Sequence, residues 1–229
     1  YNLTDNQNKE LNLHPLKPII SYSICPNLTN LAVLGEYNAK SFSSSVYLYN
    51  LQRGTIHSLE TNLQVNDLYW TTDNVLLLGK IIDKNEPNYS FSLYSVSENK
   101  FLIKDVSAVK KSISIKDNLI FYIDSLNNNL SSVSLTNGQT TEYFKVDSLN
   151  YETVLFPDIT LIGLLGKTNT NISLVIFSLS QKNIVNTLSF PLNKNETYIE
   201  KYSINNQYFI KTYNNKTKQY SINAINFPN

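Results

Sequence analysis

An all-β fold assembled from about five similar four-stranded units is predicted for this chain of 229 residues, and three observations predict it. The first is a polar turn between two apolar runs. Trp70-Thr71-Thr72-Asp73-Asn74 is echoed by Ser114-Ile115-Lys116-Asp117-Asn118 and Leu155-Phe156-Pro157-Asp158-Ile159, and more loosely around Asn27 and Asn206. From Asn27 through Asp73, Asp117 and Asp158 to Asn206 the steps are 46, 44, 41 and 48 residues. Asp and Asn suit such reversals because they bond nearby backbone and tolerate left-handed conformations.

The second observation is an alternating strand followed by a polar turn, with the same period. It appears at Val46–Leu51, Phe91–Val96, Ser131–Leu135, Leu174–Leu179 and Tyr220–Ile225, and the turns after the first four are rich in Asn, Gly, Ser and Lys. Alternation closed by such a turn signals a hairpin. The third observation is composition: 16 Tyr and abundant Asn against only 6 Gly and no Met. Tyr suits pleated, half-buried strands, and Asn suits the turns between them.

In chain order, the first strands of the units fall near 18–25, 65–71, 111–116, 150–156 and 197–204, and the second strands near 31–36, 75–82, 119–124, 159–165 and 207–213. The alternating segments supply the third strands. Fourth strands follow near 55–60, 101–107, 140–146 and 183–190, and the fifth unit stops after its third. A unit of four strands in about 40–48 residues matches a β-propeller blade better than a solenoid coil. Blades are expected at 18–60, 65–107, 110–147, 150–191 and 196–229 of a single domain, 1–229.

Residues 1–13 have strand character and are expected to complete the fifth blade, closing the ring and removing its open edges. The alternative is that they form the tail of a preceding blade in a larger propeller. The chain opens at Tyr1 without an initiator Met, which suggests a processed chain or a segment of a longer one.

The Trp-x-x-Asp-Asn turn, followed by an x-Leu-Tyr-x-Leu strand and a polar hairpin, resembles the WD40-like propeller repeats of the TolB type. Their usual form is Trp-Ser-Pro-Asp-Gly, then Leu-Tyr-x-x-Asp. The second unit matches best, and the chain departs from the pattern by lacking the turn Gly and most of the turn prolines. The resemblance implies a propeller of a bacterial envelope or surface protein, and hence an extracytoplasmic or cell-surface setting. It specifies a fold and not a chemistry.

Composition excludes several classes of function. Lys and Arg total 19 against 18 Asp and Glu, so no net field steers the chain toward nucleic acid or anionic lipid. The basic stretches Lys104, Lys110, Lys111 and Lys211, Tyr213, Lys216, Lys218, Tyr220 read as solvated edges. No apolar run approaches a membrane span. Cys25 is the only cysteine, which rules out an intramolecular disulfide and a Cys-based zinc cluster, and it is expected to be a small buried hydrophobe. No metal or other cofactor is expected.

For catalysis, His14 and His57 lack a neighbouring nucleophile or acid, and no phosphate-loop, nucleophile-elbow or zinc-protease motif occurs. Four carboxylates near the starts of first strands, Asp67, Asp147, Glu152 and Glu196, are the candidate site residues, since propeller glycosidases draw paired acids from several blades. Asp67 stands out as having no counterpart in the other units. The turn residues Asn27, Asp73, Asp117, Asp158 and Asn206, with Trp70, form a structural blade signature, and Trp70 is expected to pack between blades. The favoured reading is a non-enzymatic propeller that binds a protein, peptide or surface polymer through loops on one face, for example 83–89. The alternative is a carbohydrate-binding or glycoside-hydrolysing propeller.

Overall fold

The computed structural model describes residues 19–36, 44–59, 64–82, 88–147, 151–156, 160–204 and 207–225. Five antiparallel sheets make up almost all of it. The first holds β1 (Ile19–Ile24), β2 (Asn30–Glu36), β3 (Ser44–Asn50) and β4 (Ile56–Leu59). The second holds β5 (Asp67–Trp70), β6 (Val75–Ile81), β7 (Asn88–Ser95) and β8 (Lys100–Val109). The third holds β9 (Ser114–Lys116), β10 (Leu119–Ile123), β11 (Asn129–Ser134) and β12 (Thr140–Lys145), entered through a 3-10 turn at Lys110–Ser112. The fourth holds β13 (Glu152–Leu155), β14 (Leu161–Lys167), β15 (Asn171–Ser178) and β16 (Asn183–Pro191), and the fifth β17 (Glu196–Ile204), β18 (Gln207–Asn214) and β19 (Gln219–Ile225).

Strand order follows chain order in every sheet, which is the meander of propeller blades. Residues 1–13, expected to complete the fifth sheet, lie outside the described residues, as do His14, Asp158 and Asn206. Several strands differ from the expected spans: β7 begins three residues earlier, at Asn88, and β9 begins three residues later, at Ser114, because Lys110–Ser112 form the 3-10 turn. β14 runs two residues further because Gly166 and Lys167 pair with Ser173 and Ile172, and β8 continues through Ala108 and Val109, both fully buried.

The second strands explain why some apolar runs do not alternate. Val75–Gly79 of β6 and Ile162–Gly166 of β14 are buried at every position, as is Ile120–Ile123 of β10. A strand covered on both faces is apolar throughout, whereas one with a solvated face alternates. The fourth strands β12 and β16 are mostly exposed, β16 including Ile184 and Val185.

The described residues divide into two compact units, Tyr1–Ser107 with Leu135–Gln139, and Ala108–Ser134 with Thr140–Asn229. In the first, Cys25, Ala32, Leu34, Val46 and Leu48 of the first sheet pack against Leu68, Trp70, Leu76, Leu78 and Tyr94 of the second. In the second, one core joins Phe121, Ile123 and Leu130 of the third sheet to Ile162 and Leu164 of the fourth. Another joins Val154, Leu165, Leu174 and Ile176 of the fourth to Tyr198, Ile210 and Ile225 of the fifth.

First strands pair on one side only, so their other edge presents unpaired backbone groups that need partners. Side chains of neighbouring sheets supply some of them. Trp70 donates its indole N–H to Ser23 O at 3.0 Å, and its backbone N–H to Ser23 Oγ at 3.1 Å. Thr153 donates to Ser112 O at 2.7 Å. Lys116 donates to Phe156 O, Lys201 to Thr153 O and Tyr208 to Leu155 O. Trp70 therefore packs between the first two sheets and is hydrogen-bonded there as well.

The turns show how a chain with few glycines makes tight hairpins. In five of them a residue is left-handed four places after an Asn or Ser that ends a strand: Gly54 after Asn50, Asn99 after Ser95, Gly138 after Ser134, Lys182 after Ser178 and Lys218 after Asn214. Asn50 Oδ1 accepts from the backbone of Gln52 and Arg53, and Asn214 Oδ1 from Lys216 and Thr217. Left-handed backbone costs a side-chain-bearing residue about 1–2 kcal/mol, partly offset by the flexibility that Gly brings to the unfolded chain. Lys182→Gly and Lys218→Gly are each expected to stabilise the protein by about 0.5–1 kcal/mol. An increased urea midpoint at constant slope would show it, and a decrease would contradict the assignment.

Candidate functional site

Each of the four candidate carboxylates is already engaged. Asp147 is exposed and accepts a hydrogen bond from Tyr151 Oη at 2.8 Å. Burial, then Asp147, pushes that phenol up to about 12. Glu196 accepts at 3.0 Å from the backbone N–H and at 2.9 Å from the side-chain amide of Asn193, closing the turn that leads into β17. Asp67 heads β5 in the first unit, and its charge acts on the phenols of Tyr69 and Tyr89. Burial raises both phenols above the ordinary tyrosine value, with the Asp67 charge adding to the effect.

Glu152 has the richest surroundings. Its Oε2 accepts from Tyr198 Oη at 3.1 Å and stands 4.0 Å from Lys201 Nζ. The side chains of Glu152 and Lys201 are each only 21% exposed, so this pair is less screened than a surface pair. Lys167, exposed at the end of β14, places Nζ 5.1 Å from the centre of the Tyr198 ring. Lys111, in the turn before β9, directly precedes Ser112, whose backbone O accepts from Thr153, the residue after Glu152. Loss of hydration holds Lys111 and Lys201 below the ordinary lysine value, with Glu152 opposing that shift at each. Burial and the Glu152 charge raise the Tyr198 phenol. Thus Tyr198 and Lys201 of the fifth sheet contact Glu152 directly, Lys167 of the fourth stands over the Tyr198 ring, and Lys111 sits in the turn that bonds the next residue, Thr153.

The expectation that Asp67 has no counterpart is corrected by the strand register. Asp67 and Glu152 each open a four-residue first strand, paired with Gly79 and Leu165 respectively. They are equivalent positions of two sheets, and Lys111, six residues before Asp117 as Asp67 is before Asp73, is the matching position of the third. Sequence reasoning missed Lys111, Lys167 and Lys201 because lysines looked like solvated surface. Aligning the units on their turn residues brings out the charged column.

Among the blade-signature residues, Asn27 caps its own turn by accepting from Thr29 N at 3.0 Å. Asp117 and Asn118 are both left-handed, the turn that a two-residue hairpin requires. Asp73 reaches out of its turn: Oδ1 accepts from Asn27 N at 2.9 Å, and the Cys25 thiol lies 3.4 Å from Asp73 O. Thr72 Oγ1 closes the Asp73 turn in its place, accepting from Val75 N at 3.1 Å. Cys25 is fully buried, and burial raises its thiol.

A small polar recess in the first unit is lined by Gln64, Lys80, Ser90, Ser92 and Asp105, with Val65 and Leu78 at its base. It contains none of the four candidate acids. His57 is exposed on β4. Among the described residues, no three His, Cys, Asp or Glu side chains gather as a metal-ligand set, and no helix is long and apolar enough to cross a membrane.

No protein-family model and no curated protein sequence matches the chain. Solved structures do. The hydrazine synthase of Kuenenia stuttgartiensis is similar over 91% of this chain and 61% of its own, at 10% identity and a TM-score of 0.53. The β-propeller domain of the trilobed protease from Pyrococcus furiosus is similar over 85% of this chain and 65% of its own, at 13% identity and a TM-score of 0.52. TolB from Acinetobacter baumannii aligns with 90% of this chain and 54% of its own, at 13% identity and a TM-score of 0.41. The chain therefore spans less than two thirds of each of these proteins. At such identities the likeness is one of fold alone, and that fold, with five antiparallel meander sheets and the side-chain contacts between them, is a β-propeller.

Proposed function

We propose that this chain is a non-enzymatic propeller domain of a larger, surface-exposed protein, binding a protein, peptide or surface polymer. The observation that carries this reading is the separate engagement of the candidate acids. Asp147, Glu152 and Glu196 each accept hydrogen bonds from a different neighbour, and Asp67 belongs to the other unit. Glycoside hydrolysis needs two carboxyl groups sharing one bond, one free to give a proton and the other to take one or attack. Loops on a rigid sheet scaffold suit recognition instead. Hydrazine synthase and a protease are among the structural neighbours, and at their level of identity they pass no chemistry to this chain.

Arrays of microbial-surface glycans and of 15-residue peptides, probed with the purified chain, test the reading. Retention of intact ligands, with no reducing sugar released, is the expected result. Reducing-sugar release that disappears in Glu152→Gln or Asp67→Asn would overturn it in favour of a hydrolase. Failure to retain any glycan or peptide would remove the binding reading as well.

A further inference from the structure

The charges around Glu152 do not balance. Lys201 at Glu152, Lys167 over the Tyr198 ring and Lys111 beside the Ser112–Thr153 bond bring lysines of the fifth, fourth and third sheets to the neighbourhood of Glu152. Glu200, the other acid acting on Tyr198, is 3.1 Å from Lys211 and serves that lysine. Lys201 is held by Thr153 O and Glu152, so it is fixed in position. Among the described residues, Lys111 and Lys167 have no carboxylate held in the same way. Charge-assisted hydrogen bonds from ammonium groups to acceptor oxygens are strong, and one carboxylate cannot serve three lysines.

We propose that Lys111, Lys167 and Lys201, gathered around Glu152 and Tyr198, form a binding site for an oxyanion: a carboxylate, sulfate or phosphate group carried by the ligand of this domain. The proposal rests on the binding reading above and specifies its ligand chemistry. Lys201 and Tyr198 form the fixed base of the site. Lys111 and Lys167, both exposed, provide the outer arms. Glu152 orients Lys201 and Tyr198 and competes with the incoming anion.

Calorimetric titration of the whole chain with sodium sulfate, inorganic phosphate and sodium acetate tests this, with ionic strength held constant by sodium chloride. Binding of at least one anion by the wild type is expected. Lys111→Gln/Lys167→Gln, which leaves the structural Lys201 untouched, should weaken it about tenfold or more. Glu152→Gln should strengthen it, because the competing charge is gone. A preference for acetate would identify a carboxylate ligand, and a preference for sulfate or phosphate an ester group. The proposal is overturned if the wild type binds none of the three, or if the double variant binds as tightly as the wild type. That failure would leave array retention of neutral ligands untouched, whereas loss of array binding alone would leave the anion site standing.

Discussion

Trp70→Ala is expected to lower the unfolding free energy by about 3–5 kcal/mol, the usual range for removing a large buried aromatic side chain. Trp70 is only 8% exposed and lies in the core shared by the first two sheets. The substitution opens a cavity there and also leaves Ser23 O without its indole donor. Trp70→Phe should cost less, since it restores part of the volume while still losing the hydrogen bond. Because Trp70 is the only tryptophan, the measurement is urea unfolding followed by circular dichroism rather than fluorescence. A loss below about 1 kcal/mol for the alanine variant would show that the two sheets do not depend on this contact.

Gly79→Ala is expected to be nearly as damaging, for the opposite reason. A Cβ at position 79 would stand 1.7 Å from Tyr89 Oη and 2.4 Å from its Cζ. Tyr89 is 1% exposed, so its ring has no solvent to swing into, and the neighbouring backbone must move. Overpacking of this kind costs about 1–3 kcal/mol and more where relaxation is blocked. Combining Gly79→Ala with Tyr89→Leu should destabilise by less than the sum of the two single changes, since the smaller side chain vacates the contested space. Strict additivity in denaturant midpoints would show that the clash is not what makes glycine necessary.

The blades were legible because their physical demands recur. A second strand covered on both faces must be apolar throughout, and Val75–Gly79 and Ile162–Gly166 show it in the sequence. A hairpin must reverse within a few residues, and the Asn and Ser before each turn mark where. The charged group around Glu152 was far less legible. Its lysines are separated by dozens of positions, and a lysine on a strand end looks the same in sequence whether it is solvated or drawn to a half-buried carboxylate. Asp73 was half legible: its place in a turn was clear, while its bond to Asn27 depends on how two sheets pack.

The meander also bears on how the chain acquires its structure. Among the described residues every paired strand finds its partner in the next stretch of chain, and the described strands of each sheet fall within fewer than about fifty residues. Closing such short loops costs little entropy, and pairings between close neighbours form quickly. On a ribosome, the first sheet has all its strands once Leu59 has emerged, long before the second strand of the fifth sheet exists. Side-chain bonds such as those of Trp70 and Lys201 can then join each sheet to one already formed, so a chain this rich in β-structure need never expose all its strands unpaired at once.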